Sequence, residues 1–133
     1  MRSVLAIVTG SVFILFVVSL MGLIYIFTAV GYNKLAADFQ FLHDISGIFR
    51  YLLGIPAFIV TMFAGGYITA HIANMHTNTK VLLHCLFVGF ITIGGIMYPA
   101  LGYSNLTLTG IIVIIFALIS STAGGLYWLR GNK

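Results

Sequence analysis

Four long apolar runs alternate with short polar breaks along the chain. The runs extend over about 4–30, 51–73, 81–101 and 106–129. The breaks are Gly31 to Arg50, Asn74 to Lys80 and Gly102 to Asn105. A helix that crosses a bilayer needs roughly 17–25 mostly apolar residues. Each run therefore predicts one transmembrane helix. Apolarity is continuous rather than alternating, which excludes a membrane β-barrel. The expected fold class is all-α, a single membrane domain over 1–133 built as a bundle of four transmembrane helices. The first run is longer than a signal-peptide core of roughly 7–15 residues, so it reads as a retained helix. It also exceeds the bilayer thickness and is expected to tilt or project. The 102–105 break is so short that spans three and four form a tight antiparallel pair.

The first break has a pattern of its own. Leu35, Phe39, Leu42, Ile45, Phe49 and Leu52 recur every three or four residues, while Lys34, Asp38, Asp44 and Arg50 take other faces. That spacing predicts an amphipathic surface helix between the first two spans, lying on the membrane or against a partner. Pro56 lacks an amide donor and either starts span two or kinks it.

Composition sharpens this picture. Apolar residues make up 61% of the chain and charged residues 6%, against roughly 25% charged in a soluble domain. So little charge cannot cover a solvated surface, which excludes a soluble enzyme, a disordered tail and a disulfide-rich secreted module. The six Lys and Arg residues are scattered at the ends of the runs, with no basic patch for nucleic acid. Four spans place both termini on one side. That side holds Arg2, Lys80, Arg130 and Lys133 without an acid; the other holds Lys34, Arg50 and both aspartates. The bias of positive residues toward the cytoplasm predicts cytoplasmic termini. Tyr25, Tyr32, Tyr51, Tyr98 and Tyr103 fall at one interface and Tyr127 and Trp128 at the other, as aromatic belts do.

In lipid, helices associate through close approach of small residues rather than the hydrophobic effect. The expected packing positions are Gly10, with Ala6 one turn before it, Gly65, Gly66, Ala70, Gly94, Gly95, Ser121, Gly124 and Gly125. The Gly pairs at 65–66, 94–95 and 124–125 each fall late in a run and form a faint repeat. They would serve ordinary packing, or line a groove for a lipid, a quinone or a partner helix. Thr61, Thr69, Thr92, Ser120, Ser121 and Thr122 are expected to bond their own helix backbones. Cys85 is the only cysteine and reads as a small buried hydrophobe.

Candidate chemistry is sparse. No Asp, Glu, Lys or Arg lies well inside a run, whereas coupled transporters usually keep an ionisable residue there. No phosphate loop, nucleophile elbow or His-Glu-x-x-His is present, so no catalytic residue and no resident cofactor are assigned. His71, His76 and His84 flank the second break, with His43 on the opposite side. Their spacing matches no metal motif, and no acid lies nearby to orient a ligating imidazole. They are expected to be interfacial anchors. The sharper alternative keeps His71 and His84 as facing ligands of a metal or haem.

The stretch Phe63–Ala64–Gly65–Gly66–Tyr67–Ile68–Thr69–Ala70–His71–Ile72–Ala73 resembles the Ala-Gly-Gly-Tyr-x-Ala-x-x-x-Ala segment of small four-span bacterial membrane proteins of unknown function. The resemblance implies a bacterial inner membrane protein and transfers no site residue. The expected function is non-catalytic: an accessory, assembly or stabilising subunit of a larger membrane complex, or a self-associating small protein. The expected partners are the lipid bilayer and other membrane subunits or further copies of the chain. The alternatives are a homo-oligomeric channel or carrier for a neutral or lipid-like substrate, and a small haem or quinone protein.

Overall fold

The computed structural model describes the backbone of residues 2–36, 40–74, 76–101 and 108–132, and the side chains of 2–32, 54–74, 76–96, 108 and 110–132. It contains four helices: α1 (Arg2–Ala36), α2 (Gln40–Ala73), α3 (Asn78–Leu101) and α4 (Leu108–Gly131). All four are long and apolar enough to cross a membrane. The helical state follows from the solvent such runs imply. With no water to satisfy an open amide, every backbone group must bond within its own segment.

Helix α2 takes in part of the segment between the first two apolar runs. Residues 40–53 are helical and continuous with span two, and α2 runs through Pro56 without a break. An uninterrupted apolar helix loses one backbone bond at the proline, whereas a break would open several on each side. The side chains of Lys34, His43, Asp44 and Arg50, the residue Asp38 and the 102–105 turn lie outside the described residues. So do the side chains of Tyr51 and Tyr98 and the residue Tyr103.

The α2–α3 turn is built by local chemistry. Asn74 adopts φ 50° and donates its amide to the His71 carbonyl at 3.2 Å, ending α2 in the left-handed cap that Asn tolerates. The Thr77 carbonyl accepts the Val81 amide at 3.1 Å and opens α3. At the end of α4, Asn132 Nδ2 donates to the Trp128 carbonyl at 2.9 Å.

Consecutive helices run antiparallel, so α2 and α4 are parallel neighbours. α2 is central: it packs on α1, α3 and α4, while α1 and α4 do not meet among the described residues. The start of α1, the end of α2, the start of α3 and the end of α4 therefore share one end of the bundle. Arg2, Lys80 and Arg130 lie at that end. Two buried clusters form the core. One, near the basic end, joins Ala70, Val81, Cys85, Trp128 and Leu129. The other, deeper, joins Ile14, Met62, Val88 and Ala117. Beyond Val18 every residue from Ser19 to Thr28 is exposed.

Candidate functional site

The tightest part of the bundle is a node where α2, α3 and α4 meet. A Cβ on Gly66 would overlap the Ser121 carbonyl of α4, and one on Gly124 would overlap the Phe63 carbonyl of α2. A Cβ on Gly125 would collide with Cys85 Sγ and come within 2.8 Å of Val81 Cγ1. Here the missing side chain lets two backbones touch, which is how helices in lipid gain dispersion energy.

Polar atoms close the node. Ser121 Oγ donates to the Cys85 carbonyl at 3.0 Å, and the Cys85 thiol faces the Gly66 carbonyl at 3.6 Å. Ser120 Oγ donates to the Ile59 carbonyl at 2.7 Å. These carbonyls already accept helical amides and use their second lone pair here. Both serines thus bridge helices, correcting the expectation that they bond their own backbone. Glycine and other small neighbours bring the facing carbonyl within reach of so short a side chain. The threonines do bond locally: Thr61 to Ala57, Thr69 to Gly65, Thr92 to Val88 and Thr122 to Leu118.

The other expected packing positions divide. Gly10 lies against Thr69, Gly65 against the Ile14 side chain, and Gly95 within 3.3 Å of Leu15 Cδ2, measured from the position a Cβ would take. Ala6 and Ala70 are buried. At Gly94 a Cβ would meet no described atom within 4 Å. Adjacent helical residues point about 100° apart, and Gly95 is the member of that pair turned toward α1. Sequence reasoning missed Gly89, where a Cβ would lie 2.7 Å from Leu118 Cδ2. The signal that could have found it is Cys85, a small residue four positions earlier. Ser11 on α1 is buried with its hydroxyl unpartnered.

Among the described residues no group of three or more His, Cys, Asp or Glu could hold a metal. His84 Nδ1 lies 2.8 Å from the Lys80 carbonyl on its own helix. His71 Nδ1 lies 3.1 Å from Trp128 Nε1. An indole can only donate, so Nδ1 must accept and the neutral ring carries its proton on Nε2. In that state His71 offers no lone pair to a metal. Around it lies a ladder of rings between the parallel helices. Tyr67 stacks on His71 at 6.5 Å and 11°, Tyr127 meets Tyr67 at 6.5 Å, and Phe63 meets Tyr127 at 5.8 Å.

No protein family, characterised protein or solved structure matches the chain.

Proposed function

We propose that the chain is an integral protein of a bacterial inner membrane, with cytoplasmic termini, that acts without catalysis as an accessory or self-associating subunit of a larger membrane assembly. The observation that carries this reading is the outer half of α1. From Ser19 to Thr28 the helix is exposed on every face, and Leu20, Leu23, Ile24, Ile26 and Phe27 are among its large exposed side chains. The opposite half of the same helix packs closely against α2 and α3. A helix packed at one end and carrying large exposed apolar side chains at the other offers those side chains to a neighbour's helix. Ser120, Ser121 and Trp128 tie helix to helix, while the threonines bond their own backbones, so these polar groups are taken up in packing. The orientation is supported by the acid-free basic end of the bundle. The bacterial setting is supported by the likeness of Phe63–Ala73 to the small four-span proteins.

The test is extraction of the tagged chain in polymer-bounded native membrane discs, followed by stoichiometry. The reading expects either a fixed partner at constant ratio or two or more copies per disc. Discs holding one copy and no constant partner would refute it.

A further inference from the structure

We propose that the exposed surface where the last turns of α2 and α4 meet seats the phosphate of an anionic phospholipid. The inference rests on the chain spanning a bilayer and is independent of what the chain assembles with. Parallel packing brings the last turns of both helices to one level, and each last turn carries a basic residue, His71 in α2 and Arg130 in α4. Both are exposed. The Trp128 indole, itself only 5% exposed, takes the Nδ1 lone pair of His71. That fixes a hydrogen-bond donor at Nε2, the ring nitrogen left over. Tyr67 holds the imidazole plane from below by stacking. Tyr127 is 66% exposed and lies three residues before Arg130, on the same face of α4. The result is an aromatic wall topped by one fixed imidazole donor and one guanidinium.

That combination suits a phosphodiester at the membrane interface. Arginine binds phosphate oxygens in a planar fork. Tyrosine and tryptophan rings lie at the depth where acyl chains meet headgroups. Charge favours an anionic lipid over a zwitterionic one. Arg2, Lys80 and Arg130 share this end, and both aspartates of the chain, at 38 and 44, lie in the connection at the other. Clusters of this kind between membrane helices are suited to acidic headgroups. Donors in the last turns also complement the free carbonyls of helix C-termini; on that account alone they would show no lipid preference.

Trp128 is the chain's only tryptophan and bonds His71, so its emission reports this surface without interference. The experiment titrates phosphatidylglycerol, and separately phosphatidylcholine, into the purified protein in neutral detergent micelles, where no bilayer surface potential contributes. Emission and native mass spectrometry are read together. The expected result is a saturable shift at one phosphatidylglycerol per chain, with phosphatidylcholine about tenfold weaker. Arg130→Gln, an exposed substitution outside the helix contacts, should weaken phosphatidylglycerol about tenfold. Lys80→Gln, at the same end but outside this surface, should change it less than about twofold. Inorganic phosphate at millimolar concentration should leave the emission unmoved; an equal response would assign the site to a free anion and overturn the lipid. Equal binding of the two lipids, or equal loss in the Arg130 and Lys80 variants, would also overturn the seat. Recovery of the chain in the alkali-washed membrane fraction separates such a failure from failure of the membrane-spanning reading.

Discussion

Individual residues divide sharply by what a side chain would meet. A leucine at Gly66 or Gly124 must displace a backbone carbonyl of the neighbouring helix, which cannot move without its own helix. A Cβ at Gly94 meets no described atom within 4 Å. The expected outcome is that Gly66→Leu costs at least about 1–3 kcal/mol in detergent melting while Gly94→Leu changes little. The hydroxyls give a second contrast. Ser121→Ala removes an interhelical bond and should cost about 0.6 kcal/mol, the typical worth of such bonds in membrane helices. Ser11→Ala removes a buried hydroxyl without a partner and should be neutral or stabilising. Equal destabilisation by the two alanines would show that Ser11 has a partner in the native bundle. Much of this scale was legible in the sequence. Small residues four apart mark a close contact, because the α-helix returns to the same face each turn. The choice between Gly94 and Gly95 was not legible, since it depends on helix rotation. Nor was the Trp128–His71 bond, which joins residues far apart in sequence and depends on the register of α2 against α4.

At the scale of elements, periodicity located four helices but misplaced one boundary. The spacing of Leu35 to Leu52 is a helical spacing whether that segment lies flat or continues a span. Sequence pattern alone does not separate the two, and the proline at 56 suggested a break. The structure instead carries one helix from Gln40 to Ala73. Spin labels at Phe41→Cys and Ile72→Cys in a Cys85→Ala background test this directly. At a rise of about 1.5 Å per residue, a straight α2 separates the labels by about 46 Å, whereas a right-angle turn near Gly54 gives about 33 Å. The longer distance is expected. His71→Phe probes the α2–α4 pair at the same scale. It leaves the Trp128 indole N–H without its acceptor and should shift Trp128 emission while melting changes by about 1–3 kcal/mol.

The whole molecule is asymmetric along its axis. Near the basic end, α2, α3 and α4 are locked by glycine contacts and serine bonds, with α1 held against α2 through Gly10 and Thr69. Toward the other end α1 is exposed from Ser19 to Thr28. This asymmetry underlies the proposed role, because a helix packed at one end and exposed at the other offers apolar side chains to another protein. It was not legible in the sequence, since α1 is apolar on both halves and lipid-facing and protein-facing residues look alike in such a run. The most direct measurement places a photoactivatable cross-linker at Ile24, in native membranes, with the same probe at the exposed Val4 position near the basic end for comparison. The account predicts that Ile24 captures a protein, either a second copy or one constant partner, more often than Val4 does. Capture of lipid alone at Ile24 would contradict it.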